Sequence, residues 1–152
     1  MDRRSVLTHL GAGAAGLFAV NGVALAQPQQ HAQHEAHVRM LDDCARECGA
    51  VAHHCLEQLR RGEGDKEFHA RTHGMALACE SFCQQTSALM ERHNPLVHIA
   101  QVACADACRD CGQQCAKGKA EVMTRCAEIC KKCEAMCRQA AKASTPAAPG
   151  QR

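Results

Sequence analysis

Between Cys104 and Cys137 one spacing occurs twice: Cys104-x3-Cys108-x2-Cys111-x3-Cys115, a short basic gap, then Cys126-x3-Cys130-x2-Cys133-x3-Cys137. Wound as a helix at about 100° per residue, offsets of 4, 7 and 11 gather the four sulfurs of each copy into a stripe roughly 60° wide. Leu or Ile ordinarily fill that stripe on a core-facing helix. Cysteine therefore stands where a hydrophobic core should be, and the chain is confined to folds in which helices turn thiols toward one another. The two copies look like an internal duplication.

The remaining cysteines extend the pattern. A first helix is expected over about 36–61, stopped by Gly62-Glu63-Gly64. It carries Cys44, Cys48 and Cys55 on one stripe, with Val51 in the missing turn and His37 and Met40 on the same line farther back. His53 and His54 fall off the stripe and read as surface or flank. A second helix starts after Asp65, a good N-cap residue, and ends before Asn94-Pro95; Cys79 and Cys83 lie on it, and Phe68, Met75, Phe82, Thr86 and Met90 complete its inward face. Asn94-Pro95 reads as a cap with Pro at the first helical position, which starts a third helix over about 95–117. The Lys117-Gly118-Lys119 break leads to a fourth over about 120–143. Four helices joined by loops of a few residues, with no strand alternation, predict an all-α fold, an antiparallel up-down-up-down four-helix bundle with a cysteine-lined core over 36–143. That topology sets the end of the second helix beside the start of the first, gathering His37, Met40, Met90 and His93.

The flanks read differently. Residues 1–26 open with Arg3-Arg4, pass through a Gly/Ala-rich apolar run and end in Ala24-Leu25-Ala26, the layout of a cleaved export signal of the twin-arginine type. Gly11, Gly13, Gly16, Gly22 and Asn21 interrupt the run and argue against a membrane anchor. Export to the periplasm is expected, with no membrane association after cleavage. Residues 27–35, rich in Gln and His, are expected to be a mobile segment, and 144–152 a disordered tail. His31, His34 and His37 recur every third residue, a tract able to bind metal.

Composition narrows the function classes. The chain has 13 Cys, three Phe and no Trp or Tyr, and its formal charge is +2. Without a basic patch or stacking aromatics a nucleic-acid partner is not expected. No nucleophile–base arrangement is evident, so no enzyme activity is expected.

Thirteen cysteines in an exported chain ordinarily suggest a disulfide scaffold. Here the number is odd, and the residues recur at i,i+4 and i,i+3 inside helices, where Cβ atoms stand about 5–6 Å apart against the 3.8 Å or so that a disulfide wants. Bridges between helices remain geometrically open, so a disulfide-stabilised exported helical interaction protein stays an alternative. Iron–sulfur ligands usually come from loop-like Cys-x2-Cys runs, and the Cys-x-x-Cys pairs lack the strand–helix setting of a thioredoxin-like site. Among thiophilic metals, Zn²⁺ takes four thiolates at about 2.3 Å, and each Zn(Cys)4 unit carries net −2 into a low-dielectric core. Thirteen thiols could then form about three sites, a zinc buffer. Cu(I) is soft, is satisfied by two or three thiolates, and at about one ion per cysteine cancels the buried charge. This favours multiple Cu(I) ions, while leaving Ag(I) and Zn(II) able to bind.

The duplicated Cys-x3-Cys-x2-Cys-x3-Cys, the Cys48-x6-Cys55 pair and the twin-arginine leader together resemble the exported type of the bacterial copper storage proteins, over about 36–143. The resemblance implies a cysteine-lined four-helix bundle that stores and buffers many Cu(I) ions, with all thirteen cysteines as inward ligands, assembled as a homotetramer. It further implies an open end where His and Met ligands admit copper, a place comparable to that of His37, Met40, Met90 and His93.

Overall fold

The computed structural model describes residues 17–144, with side chains from 29 to 143. It contains α1 (Leu17–Arg61), α2 (Lys66–Glu91), α3 (Val97–Cys115) and α4 (Glu121–Ser144), and no strand among the described residues. Two compact units divide the chain, residues 1–35 and residues 36–152. The second holds the bundle. Arg3-Arg4 and the tail beyond Ser144 lie outside the described residues.

Each junction has a local cause. Gly62 and Gly64 take φ of 68° and 69°, left-handed values that glycine adopts at little cost, and end α1. Asp65 then caps α2, its carboxylate accepting from the N–H groups of Glu67 at 2.9 Å and Phe68 at 3.1 Å, which satisfies two donors that have no partner inside the helix.

Two boundaries differ from the sequence reading. The third helix begins at Val97 rather than Pro95, because Asn94 closes a turn first: its side chain accepts from Leu96 N at 2.9 Å and its carbonyl from Val97 N at 3.1 Å. The first helix continues back to Leu17 through 27–35, where a mobile segment was expected. Gln29, Gln30, Ala32, Gln33 and Glu35 are all good helix formers, and His31 Nδ1 meets Glu35 at 3.2 Å one turn on.

Contacts around the bundle define the order of its helices. Asp42 and Ala52 of α1 meet Ser87 and His73 of α2, each at 2.8 Å. Thr72 and Ala100 link α2 to α3 through Gln114 and Thr86 at 3.0 and 3.3 Å. Arg138 of α4 donates to Asp106 of α3 at 3.1 Å, and Arg125 to Glu47 of α1 at 3.3 Å. The pairing numbers run in opposite directions along every neighbouring pair. Consecutive helices are thus antiparallel and the fourth closes against the first, an up-down-up-down bundle.

Small residues set the closest approach. A Cβ on Gly112 of α3 would come within 3.2 Å of Cys130 Cβ and 3.6 Å of the Ala127 carbonyl on α4. The core then contains Leu41, Val51, Ala76, Met90 and Met123 among thirteen cysteines, each cysteine at most 1% exposed. Phe82, expected inward, is instead 43% exposed. Cys83 occupies the inward line and the neighbouring position sits about 100° away, which leaves Phe82 in a shallow groove with Met75, Ala103 and Ala107 between α2 and α3.

Candidate metal centre

Thiols from all four helices converge on the bundle axis. All thirteen are free. Across helices, Cys44 Sγ lies 3.9 Å from that of Cys108 and 3.8 Å from that of Cys130. Cys48 reaches Cys126 and Cys130, each at 3.8 Å, and Cys83 reaches Cys104 at 3.7 Å and Cys108 at 3.8 Å. Along one helix, Cys126 and Cys130 are 3.8 Å apart, as the i,i+4 spacing requires.

Four buried groups have their sulfurs mutually within 4.8 Å: Cys44, Cys83, Cys108 and Cys133; Cys44, Cys48, Cys79 and Cys130; Cys48, Cys111, Cys126 and Cys130; and Cys104, Cys133 and Cys137. Cys44, Cys48, Cys130 and Cys133 each belong to two of them, so one sulfur could bridge two metals. At a metal–sulfur length of about 2.3 Å, a trigonal site needs sulfurs about 4.0 Å apart and a tetrahedral one about 3.8 Å. The observed spacings fit both, and the difference between candidate ions falls to charge. Three thiolates with a dipositive ion leave −1 and four leave −2, whereas one monovalent ion per thiolate leaves nothing to bury uncompensated.

The sulfurs hold one another's protons. Hydrogen bonding to Cys111 and other neighbours, with burial added, pushes the Cys48 thiol well above its ordinary value. Cys108, bonded first to Cys104, is pushed up likewise, while Cys104 on the other side of that bond is drawn down to about 5. Cys115 is lowered to about 5 by Cys111. Cys55 is raised to about 11 by burial and by the charge of Cys115. Within such pairs one thiol is kept neutral while its neighbour is eased toward thiolate, an arrangement in which protons can leave stepwise as cations bind.

The His and Met candidates share one end. The Asp42–Ser87 contact fixes the register of α1 on α2 and carries His37 and Met40 to the level of Met90 and His93. Met90 is 7% exposed and its sulfur accepts from Gln101 Nε2 at 3.9 Å. Met40 packs against the core, His37 is half-buried, and His93 is exposed in the turn after α2 with φ 49°. His53 is exposed and His54 half-buried, as expected from their places off the stripe.

Several buried polar residues escaped the sequence reading. Gln114 donates to Thr72 Oγ1 at 3.0 Å and accepts from Lys117 Nζ at 3.0 Å, a polar seal across α2 and α3 at the end away from Met90. Gln101 and His69 are also buried. Gln and His at helical positions read as solvent-facing, although Gln101 stands three positions before Cys104 and His69 two heptads before Cys83, on the lines of the two cysteine rows.

The profile of the family described as copper storage protein matches residues 30–142. No curated protein matches. Among solved structures, the Cu(I)-bound copper storage protein BsCsp3 superposes with a TM-score of 0.65 at 26% identity, covering 72% of this chain and 98% of that one. A protein from Nitrosospira multiformis, Nmul_A1745, superposes with a TM-score of 0.64 at 24% identity over 74% of this chain and 98% of its own, and supports the fold alone.

Proposed function

Since the chain belongs to the copper storage protein family, we propose that its thirteen cysteines are the ligands through which it does its work. The protein stores copper as multiple Cu(I) ions in the core of a four-helix bundle. The observation that carries the ligand assignment is the set of four overlapping buried thiol groups. Shared sulfurs let the ions form a continuous chain of sites, at about one ion per cysteine on the charge argument.

Copper enters at the Met90 end. Met40 and Met90 offer thioethers, ligands soft enough for Cu(I) yet neutral and weak, and His37 and His93 offer imidazole at the rim. An ion held there passes to Cys104, Cys133 and Cys137, where thiolate replaces thioether and a proton is displaced. The role is storage and buffering without catalysis. Arg3-Arg4 and the apolar run behind it support export by the twin-arginine route to the periplasm. Among the described residues no helix is long and apolar enough to cross a membrane. Self-association, as a homotetramer on the family resemblance, is supported by an exposed apolar row from Leu96, which caps α3, through Ile99 and Val102, each at least half exposed.

Counting copper per chain with thiols titrated in parallel tests the reading. Ten or more Cu(I) ions with the thiols reduced are expected. Saturation at about three ions would identify a zinc-type buffer, and few titratable thiols a disulfide-bonded protein.

A further inference from the structure

Toward the Met90 end each helix has a last buried residue: Leu41 on α1, Met90 on α2, Gln101 on α3 and Ala141 on α4. Beyond them no described residue is buried. They form a cover, since Cys104 and Cys137, one turn deeper on α3 and α4, are 0% and 1% exposed. The end that was expected to stand open is therefore closed, and an ion arriving at Met90 meets no exposed thiol.

Three members of the cover have no cause to leave it. Leu41 is apolar and fully buried, Ala141 has no side chain to turn aside, and Met90 is the thioether that receives the ion. Gln101 is the polar member, 4% exposed. Its Nε2 donates to Met90 Sδ at 3.9 Å, and a thioether is a weak acceptor. Its Oε1 is enclosed without a hydrogen-bond partner. An unpaired acceptor disfavours the arrangement that encloses it, and turning outward gives it water. Thr86 Oγ1 donates to the Ala100 carbonyl at 3.3 Å and ties α2 to α3 beside this point, so the side chain rather than the helix is the part that moves.

Resting on the storage reading and on entry at the Met90 end, we propose that Gln101 is the gate of the thiol tube: its amide closes the mouth in the metal-free protein and swings outward to admit each Cu(I) ion. One motion has two effects. It opens the way to Cys104 and Cys137, and it withdraws the N–H group from the Met90 sulfur, whose lone pair is then free for a soft cation. Behind the ion the side chain returns and water is again shut out. Gln101 is a positioning residue that acts through Met90 and not a ligand, because an amide oxygen is a hard donor poorly matched to Cu(I). It governs how fast copper passes and not how much is held.

The test uses the whole mature protein, metal-free and reduced, mixed anaerobically with Cu(I) carried by a weak chelator. Ultraviolet absorption of the Cu(I)–thiolate bonds is followed in time, and capacity is read at the end. Gln101→Leu fills the space without an unpaired oxygen and should load about tenfold more slowly, whereas Gln101→Ala leaves a gap and should load about tenfold faster, on the scale of one unpaired buried polar group. Both should reach the native capacity. Without copper, methyl methanethiosulfonate should modify the thiols in the same order, Ala before native before Leu. Native rates in both variants, or a lower final capacity in either, overturn the proposal. Met90→Leu separates the failures: slowed uptake there beside unchanged Gln101 variants removes the gate and leaves the entry reading standing, and unchanged uptake in all three overturns both. A native protein that holds only a few ions overturns the storage reading instead, and the order of thiol modification then judges the gate alone. Should Gln101→Ala not fold, the rate of Gln101→Leu decides.

Discussion

Replacing the α3 row, Cys104, Cys108, Cys111 and Cys115, by serine separates a core filled by charge balance from one filled by coordination geometry. Serine keeps the size and the helical pitch while removing the soft donor. If one Cu⁺ accompanies each thiolate, removing four of thirteen lowers capacity from about thirteen ions to about nine. The same loss is expected for the α4 row, Cys126, Cys130, Cys133 and Cys137. Four-coordinate filling predicts something else. The α3 variant leaves Cys44, Cys48, Cys79 and Cys130 complete as one site, whereas the α4 variant leaves none of the four groups intact. The assay is an anaerobic Cu(I) titration against a competing chelator, with thiols counted in denaturant and helix content followed by circular dichroism. Equal losses of about four ions in two folded variants support charge balance. Unchanged capacity in the α3 variant, or near-total loss confined to the α4 variant, would refute it.

Two further outcomes follow from the geometry. Cys55 is raised from 9.0 to about 11, so the folded state holds this proton more tightly than the unfolded one; the contribution of Cys55 to the stability of the metal-free protein should be complete below about pH 9 and fall by at most about 2–3 kcal/mol toward pH 11, at about 1.36 kcal/mol per unit. A urea-midpoint difference between the native protein and Cys55→Ser that is the same at about pH 8 and about pH 11 would sink the prediction. Gly112→Val places a branched side chain where even a Cβ meets Cys130 Cβ at 3.2 Å, so α3 and α4 should be forced apart at a cost of about 1–3 kcal/mol. A melting temperature of the metal-free variant at or above that of the native protein would show that the helix pair yields freely.

The thiol-bearing faces were legible because cysteine has a fixed spacing and each stripe names its own inward direction. Four positions on α3 or α4 determine a face with little freedom. Two positions on α2 do not, and the pattern there points Phe82 inward although it lies on the flank of the line through Cys79 and Cys83. Capping chemistry was readable at Asp65, where one residue makes the local bonds. It misled at Asn94-Pro95, where the cap closes an extra turn before the helix proper. His69 lies two heptads before Cys83 on the inward line of α2, but Phe68 beside it competes for that face in the sequence. The burial of His69 depends on the left-handed turn at Gly64 and on His54 arriving from another helix, and both are tertiary facts.

The seam of thiols repeats every seven residues, and seven residues advance a helix by about 10.5 Å. Each such step adds two sulfurs per rod, so a bundle longer by one step could gain up to about eight without any change in cross-section. What the molecule can hold thus grows in proportion to its length, as for a tube and unlike a hollow shell, whose contents grow with the cube of its radius. Evolution or an engineer could therefore scale such a reservoir by duplicating heptads, leaving its two ends as they are.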